Sequence, residues 1–261
     1  SDRMLDGRLA CWHAHRPQRA GAMTRIRERR SSCCASAAFE LDSTEARERA
    51  QAIFLTFDDG PNPFSTPDLL DVLAEHEVTA AFCVIGAYAA EYPDLIRRIV
   101  AEGHGLVNHT MTHPDFSECT PDEIDRQIGG ANEVIASICP QASLHYVRAP
   151  YGIWTAQARA ASARLGLEPL TWTIDPCDWS CPGVDAIEQA VLDAACPGAV
   201  ILLHDGCPPD ELPPDGHRGL RDQTIMAVRR LIPAPHDRGF VFAPLPCRCA
   251  TSPRNTHIDM P

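Results

Sequence analysis

The sequence predicts an α/β fold in which a parallel β-sheet closes, or nearly closes, into a barrel. Short apolar, β-rich runs alternate with helical patterns about seven times, which is typical of parallel sheets. Polar residues follow most of these runs, as they do at the active end of parallel barrels. The sequence has no dinucleotide-binding fingerprint and no P-loop, which disfavours an open, doubly wound sheet.

Seven predicted strands follow one another along the chain, at residues 53–57, 79–85, 105–108, 146–148, 170–174, 199–203 and 240–243. Helical patterns lie between them, at residues 67–76, 93–102, 121–138, 155–165, 184–195 and 221–232. Two of these patterns have clear start signals. Thr66 precedes Pro67 and an acidic residue, so it is a candidate N-cap. Thr120 precedes Pro121 and is followed by Glu123, which is the pattern of a capping box.

The alternating pattern defines the predicted domain organisation. It covers residues 51–246, which we predict to be the barrel domain. Residues 1–50 have little periodicity and many Arg, Ser and Ala residues, so we predict a poorly ordered N-terminal extension. Residues 247–261 are rich in polar residues and are predicted to be a frayed C-terminal tail. The total of 261 residues suits one barrel of this kind.

Charge is distributed unevenly along the chain. There are 35 acidic and 23 basic residues, for a formal net charge of -12, and every basic residue is Arg. Residues 1–50 hold 10 Arg and 7 acidic residues, so the negative excess lies in the rest of the chain. Because phosphate binding needs a basic face, nucleic acid is not an expected partner. The acidic body favours an enzyme whose substrate is neutral or cationic.

The sequence contains neither a recognisable membrane span nor a secretion signal. No run of 18 apolar residues occurs, and the N-terminus lacks the apolar stretch of a signal peptide. We therefore predict a cytoplasmic protein. The 12 cysteines are scattered and form no C-x-x-C pair, which favours reduced, mostly structural thiols over a disulfide framework or a zinc ribbon.

Titratable or hydrogen-bonding groups follow five of the predicted strands. In chain order these segments are 58–61 (DDGP), 109–113 (HTMTH), 148–152 (RAPYG), 175–179 (DPCDW) and 204–206 (HDG). Each segment alone has a simple structural explanation, such as a turn, a pair of surface histidines or a packed loop. The carboxyl ends of parallel barrel strands converge on one rim, however, so the joint occurrence of the five segments favours an active site there.

Three of these residues form a candidate metal site. His109 and His113 are four residues apart, so on a helical turn both imidazoles would face one ion. Asp59 is the natural third ligand. Three protein ligands leave coordination positions open for water and substrate, which is typical of a catalytic centre.

Other groups in the same segments suit proton transfer. Asp58 is expected to point away from Asp59, because side chains alternate along a strand, and is therefore free to act as a base. A nearby cation and Arg148 would keep the pKa of Asp58 low. His204, on another strand, is a candidate general acid.

Taken in order, the five segments resemble the polysaccharide deacetylase family, carbohydrate esterase family 4, whose catalytic unit is the NodB homology domain. The matching stretches are 56–61 (TFDDGP), 109–113 (HTMTH), 148–152 (RAPYG), 175–179 (DPCDW) and 202–205 (LLHD). The sequence is most similar to the rhizobial nodulation chitooligosaccharide deacetylases, as shown by 56–64 (TFDDGPNPF), 202–210 (LLHDGCPPD) and 219–227 (GLRDQTIMA). This resemblance covers roughly residues 51–246.

The resemblance implies a deformed (β/α)7-type barrel, in agreement with the strand pattern. It implies removal of an N-acetyl group from the non-reducing terminal N-acetylglucosamine of a chitooligosaccharide, in nodulation-factor biosynthesis. One divalent cation is expected, with zinc favoured and cobalt, nickel or manganese tolerated by a His₂Asp set. The implied roles are the base Asp58, oriented by Arg148; the metal ligands Asp59, His109 and His113; the acid His204, tuned by Asp178; the oxyanion donor Tyr151 N–H; and the acetyl-pocket residues Trp179 and Leu202.

Other functions remain open at this point. A deacetylase of peptidoglycan or polymeric chitin is disfavoured by the predicted cytoplasmic location, because those polymers lie outside the membrane. A catalytically silent sugar-binding module is disfavoured because the base and all three metal ligands are present, and a metal-dependent phosphodiesterase because no phosphate-binding loop is found. Residues 207–219 contain four prolines and are either a substrate-selecting rim or a plain surface loop, of which we favour the rim.

Overall fold

A computed structural model of the chain describes residues 51–212, 221–234 and 238–246. The predicted extension (1–50), the predicted tail (247–261) and residues 213–219 of the proline-rich loop lie outside the described residues. None of the helices in the described ranges is long and apolar enough to span a membrane.

Strands and helices alternate along the described chain. The strands are β1 (Ala52–Gly60), β2 (Ala81–Val84), β3 (Gly105–Asn108), β4 (Tyr146–Val147), β5 (Glu168–Pro169), β6 (Val200–His204) and β7 (Val241–Phe242). The α-helices are α1 (Ser65–Glu75), α2 (Gly86–Glu91), α3 (Pro93–Ala101), α4 (Pro121–Ile138), α5 (Ala156–Arg164), α6 (Val184–Ala194) and α7 (Asp222–Leu231). Short 3₁₀ turns occur at Pro150–Gly152, Asp178–Ser180 and Pro209–Glu211.

The strands form one parallel sheet that curves into a deformed barrel, as the sequence predicts. Their order is β5-β4-β3-β2-β1-β6, and β7 pairs with the start of β1. The segment after β5 closes the ring. The N–H of Leu170 donates to the carbonyl of Val147 in β4, whereas Ile174 forms a parallel bridge with Ile201 in β6.

The predicted fifth strand at 170–174 is only partly confirmed. The ladder with β4 lies at Glu168–Pro169, and the rest of the segment forms an isolated bridge with β6. Because the two ends of this segment pair with different neighbours, it forms no continuous strand. This interruption is where the barrel departs from a regular ring.

Two helix starts show what the sequence does and does not encode. The capping box at Thr120 is confirmed, since Thr120 Oγ1 accepts the N–H of Glu123 and Glu123 Oε2 accepts the N–H of Thr120. The predicted N-cap at Thr66 is wrong. Helix α1 begins at Ser65, two residues earlier than predicted, and Asn62 Oδ1 accepts the N–H groups of Phe64 and Ser65. The Thr66 hydroxyl is used by the barrel rim instead.

Helix α2 is the element that the sequence analysis missed. It is only 6 residues long, its first turn has no side-chain cap, and α3 starts almost immediately after it at Pro93. A helix this short carries too little apolar periodicity to be recognised against its surroundings.

The two faces of β1 separate the core from the site. Ile53, Leu55 and Phe57 pack with buried residues of the surrounding helices in the main hydrophobic cluster. Thr56 and Asp58 alternate with them and so face the opposite side of the sheet. Their register partners in β6 are Leu202 and His204, respectively. The parallel register therefore places Asp58 beside His204 where both strands end.

Candidate active site

The two neighbouring acids at the end of β1 are placed by a β-bulge. The register with β2 shifts between Asp58 and Gly60, and Asp59 has a positive φ of 71°. Both carboxylates consequently approach one imidazole, with His109 Nε2 3.6 Å from Asp58 Oδ2 and 3.3 Å from Asp59 Oδ1. The expectation that strand alternation separates them is wrong, because alternation ends at the bulge.

The two histidines lie in a braced loop after β3 and not on the helical turn that their spacing suggested. Thr110 and His113 have φ values of 66° and 62°, which no α-helix can contain. Side chains replace the helical acceptors. Asn108 Oδ1 accepts the N–H of Thr110, and Thr110 Oγ1 accepts the N–H of His113. Between them, Gln127 Oε1 from α4 accepts the N–H groups of Met111 and Thr112.

This loop brings both imidazoles to Asp59. The Nε2 atoms of His109 and His113 each lie 3.3 Å from Asp59 Oδ1, and the rings are 4.8 Å apart between centroids. Donor atoms of the three residues all lie within 4.8 Å of one another, and all three residues are buried. The sequence-predicted cluster Asp59, His109 and His113 is therefore assembled in the fold.

The protonation pattern of this cluster fits a divalent metal ion. His109 Nδ1 lies 2.9 Å from the carbonyl oxygen of Arg148, so its proton points there and Nε2 keeps a lone pair. Among the described residues, neither His109 Nε2 nor Asp59 Oδ1 has a hydrogen-bond partner, although both are buried. Buried lone pairs that face one another are costly unless a cation lies between them. Two imidazole nitrogens and a carboxylate are a donor set that such cations accept.

The electrostatics of the cluster differ between its two imidazoles. Burial alone would lower the pKa of His109, but the carboxylates of Asp58 and Asp59 raise it. Burial lowers the pKa of His113 to about 4, so its imidazole is neutral at neutral pH. Burial alone would raise the pKa of Asp59, but the imidazoles of His113 and His109 hold it well below its usual range. A neutral imidazole beside an ionised carboxylate is the state in which both can act as ligands.

Asp58 is held by a fully buried arginine. Arg148 Nη1 donates to Asp58 Oδ1 over 2.6 Å and to Thr56 Oγ1 over 2.8 Å, while Thr56 Oγ1 donates to the carbonyl of Ile201. The Arg148 guanidinium also lies 5.7 Å from the ring centre of Trp172. This arrangement fixes the orientation of the Asp58 carboxylate. Thr56 and Trp172 were missed by the sequence analysis, since neither residue type signals such a role by itself.

On the other side of the rim, Asp178 and His204 form a close pair. The distance between His204 Nδ1 and Asp178 Oδ1 is 2.7 Å, and the backbone N–H of His204 donates to Asp178 Oδ2 over 2.9 Å. Burial alone would lower the pKa of His204, but Asp178 reverses the effect and raises it to about 9. His204 is therefore protonated at neutral pH, with Nε2 directed away from Asp178.

The remaining predicted site residues lie at different depths. Tyr151 has a positive φ of 55°, its ring lies 4.6 Å from that of His113 and its hydroxyl donates to Glu211 Oε1 over 3.2 Å. Leu202 is buried in β6 on the same face as His204. Trp179 is 49% exposed in the 3₁₀ turn that begins at Asp178, so it lies on the surface of the rim.

Asp205 is a buried acid of the rim that the sequence analysis treated as part of a turn. It is 1% exposed, and its Oδ2 accepts the Thr66 hydroxyl over 2.6 Å. Burial raises its pKa to about 7. A Cβ on Gly60 would overlap the Asp205 carboxylate, so glycine is required where β1 passes this residue. Asp205 thus ties the end of β6 to the start of α1.

Comparison with known proteins gives one consistent result. Residues 45–170 match the family model described as polysaccharide deacetylase. A chitooligosaccharide deacetylase from Sinorhizobium fredii is 57% identical over 197 residues, which cover 76% of this chain and 91% of that protein.

Solved structures agree with this sequence match. A peptidoglycan N-acetylglucosamine deacetylase superposes with a TM-score of 0.68 at 32% identity, over 76% of this chain and 88% of the other. A family 4 carbohydrate esterase from Streptomyces lividans, solved with acetate, gives a TM-score of 0.65 at 31% identity, over 74% and 91% of the two chains. With the family model, the close relative and the fold in agreement, the chain belongs to the polysaccharide deacetylase family.

Proposed function

We propose that this protein is a metal-dependent chitooligosaccharide deacetylase. The proposed reaction hydrolyses the N-acetyl group of the non-reducing terminal N-acetylglucosamine, in nodulation-factor biosynthesis, and yields a free amine and acetate. The main support for this proposal is the arrangement of the rim. The buried cluster of Asp59, His109 and His113 lies next to Asp58, and His204 lies on the same rim. The 57% identity to a rhizobial relative of that name supports the choice of substrate.

Asp58 is proposed as the general base. Its carboxylate is anchored on one oxygen by Arg148, which leaves Oδ2 to accept a proton from an attacking water. Its partner Arg148 is fully buried, so the carboxylate is held in a fixed orientation by a group that does not itself titrate. This division of the two carboxylate oxygens suits a base that acts from one defined position.

Asp59, His109 and His113 are proposed to hold one divalent cation, with zinc favoured and cobalt, nickel or manganese as alternatives. When bound, the cation polarises the amide carbonyl and makes water a stronger nucleophile. The residues around the cluster hold its donors in place. The carbonyl of Arg148 fixes the ring of His109, and the loop bonds from Asn108 and Gln127 fix the backbone of the histidine loop.

His204 is proposed as the general acid. An amine is a poor leaving group, so its nitrogen has to be protonated as the C–N bond breaks. The bond from Nδ1 to Asp178 leaves a protonated Nε2 for this task and keeps the imidazolium stable. Asp178 is accordingly proposed to orient and tune the acid.

Three further roles are proposed from the family resemblance. The backbone N–H of Tyr151 is assigned to the developing oxyanion, a contribution on the order of 3 kcal/mol for a preorganised donor. Leu202 and Trp179 are assigned to the acetyl pocket. The position of Leu202 beside His204 on the inner face of β6 supports the first of these pocket assignments.

Residues 51–246 are proposed as the catalytic domain, with residues 1–50 as an extension. A cytoplasmic location is also proposed. It is supported by the absence of a disulfide at the described Cys83, Cys119, Cys139, Cys177, Cys196 and Cys207. Fractionation of cells that express the full chain tests the location.

Deacetylation of peptidoglycan is the second candidate, favoured by the structural match to an enzyme of that activity. The test is to incubate the zinc-loaded protein with reducing-end-labelled chitotetraose and, separately, with peptidoglycan fragments. We expect loss of one acetyl group from chitotetraose, at the non-reducing end in tandem mass spectra. Loss of acetyl groups from peptidoglycan alone would replace the proposed substrate, and no acetate from either would favour a silent sugar-binding module.

A further inference from the structure

The carboxylate of Asp178 has a third donor besides the two from His204. The hydroxyl of Thr224, on α7, donates to Asp178 Oδ2 over 2.7 Å. Asp178 and Thr224 are each only 1% exposed, so no bulk solvent can replace this bond. Oδ1 is thus committed to the imidazole of His204, whereas Oδ2 is held by the Thr224 hydroxyl and the backbone N–H of His204.

The same turn of α7 also holds the chain on either side of this pair. Arg221, just before the helix, donates from Nε to the carbonyl of Gly206 over 2.7 Å, two residues beyond His204. Gln223 Oε1 accepts the N–H of Gly183 over 2.8 Å, beyond the 3₁₀ turn that begins at Asp178. The start of α7 therefore contacts both the segment of His204 and the segment of Asp178. Of the three side chains that make these contacts, Thr224 is the one that bonds directly to the Asp178 carboxylate.

We infer that Thr224 is a positioning residue of the deacetylase, which acts through Asp178 to hold His204 in the orientation needed to protonate the leaving amine. This inference deepens the proposed function and rests on it. Thr224 touches neither the metal ligands nor Asp58 in any described contact, so its effect is confined to the acid side of the reaction.

The physical argument is that a carboxylate with two oxygens can rotate unless both are fixed. A buried carboxylate needs donors on each oxygen, and a bond to a charged acceptor is stronger than a neutral one. The Thr224 hydroxyl also helps to keep the pKa of Asp178 low, after the larger effects of burial, which raises this pKa, and of His204 and Arg221, which lower it. Without the hydroxyl, the backbone N–H of His204 is the remaining described donor to Oδ2, so the carboxylate is held by one bond fewer and orients the imidazole less firmly.

A substrate pair separates this role from a general loss of structure. Amide hydrolysis of chitotetraose needs an acid for the amine, whereas an activated aryl acetate releases a phenolate that leaves without protonation. We expect Thr224→Val, which keeps the side-chain shape, to lower kcat for chitotetraose roughly 10-fold with KM unchanged. This is a fraction of the roughly 10²–10⁴-fold that a general acid contributes, because the acid itself is retained. Aryl acetate hydrolysis should change less than about twofold, because the acid contributes little to it.

Two further variants complete the design. Thr224→Ser retains the hydroxyl and should restore most of the chitotetraose activity. Asp222→Asn, in the same turn but exposed and without a bond to Asp178, should leave both reactions unchanged. Should the Val variant not fold, Thr224→Ala removes the same hydroxyl without adding bulk. Equal losses on both substrates, or no loss on chitotetraose, would overturn the inference.

A spectroscopic measurement keeps this test separate from the proposed function. If the zinc-loaded protein releases no acetate from chitotetraose, the proposed substrate is wrong, but the bond to Asp178 can still be followed by the far-downfield proton resonance of His204 Nδ1. We expect Thr224→Val to move this resonance upfield and Thr224→Ser to leave it in place. An unchanged resonance in Thr224→Val would contradict the inference whatever the substrate is.

Discussion

The side chains of Arg148 and Asp58 form a 2.6 Å ion pair in which neither side chain is more than 5% exposed. Arg148 Nε and Nη2 have no hydrogen-bond partner among the described residues, so Asp58 is the main compensation for a charge that is fully buried. Such a buried pair contributes little net stability to the fold, since both charges lose their hydration. Its consequence is positional, because the bond from Arg148 Nη1 to Oδ1 fixes the orientation of the Asp58 carboxylate.

The base assignment is tested by Asp58→Asn. The amide keeps the shape and an acceptor for Arg148 but cannot take a proton, so acetate release should fall at least 100-fold. The metal content should persist, because Asp58 lies outside the cluster of Asp59 with the two histidines. Uncompensated Arg148 should also lower the free energy of unfolding, on the order of 3 kcal/mol. Urea unfolding, elemental analysis and acetate assays check the three parts, and near-normal turnover would refute the assignment.

The ligand assignment is tested by the double variant His109→Ala with His113→Ala. Two of three donors disappear, so the zinc content of protein dialysed against a weak chelator should fall from about one to near zero per chain. Elemental analysis measures this, with Asp58→Asn as the matched variant that keeps its metal. A double variant that still binds one equivalent of zinc would show that the ion is held elsewhere.

Much of this site follows from sequence because strand ends are easy to recognise. Apolar runs that stop at Asp58, His109, Arg148 and His204 predict both the barrel and the rim, and the fold places all four where the pattern indicates. The resemblance adds Asp178, whose bond to His204 the structure contains.

Contacts that depend on the tertiary path could not be predicted in the same way. The bulge at Asp59 overrides strand alternation, and the bonds from Gln127 hold the histidine loop away from helical geometry. Thr66 shows the same limit, since its hydroxyl donates to Asp205, which is 139 residues away in sequence, and accepts the N–H of Asn62 instead of capping α1. Local propensity predicts the conformation and bonds of such residues only where no partner distant in sequence competes for the same groups.

The raised pKa of His204 predicts a dependence of stability on pH. The folded-state pKa of about 9 lies above the ordinary value of 6.5, so the protonated pair with Asp178 stabilises the fold below about pH 6.5. This contribution is lost as the pH rises through about 9. The difference in unfolding free energy between the wild type and His204→Gln should therefore shrink over that window in urea titrations. A difference that stays constant would mean that His204 is not charged in the fold.

The close approach of β6 to β1 at the rim gives the last prediction. A Cβ on Gly206 would overlap the carbonyl oxygen of Asp59, which is backbone and cannot move aside like a flexible side chain. Gly206→Ala should therefore push the ends of the two strands apart, lower the melting temperature and weaken zinc binding, because the overlap involves a ligand residue. Gly129→Ala is the matched control, since it lies inside α4 with open space around its Cβ and should stabilise the fold by about 1 kcal/mol. If both variants keep the wild-type zinc affinity, the contact between Gly206 and Asp59 does not shape the metal site. If Gly206→Ala alone binds zinc more weakly, the close fit between the ends of the two strands sets the position of Asp59.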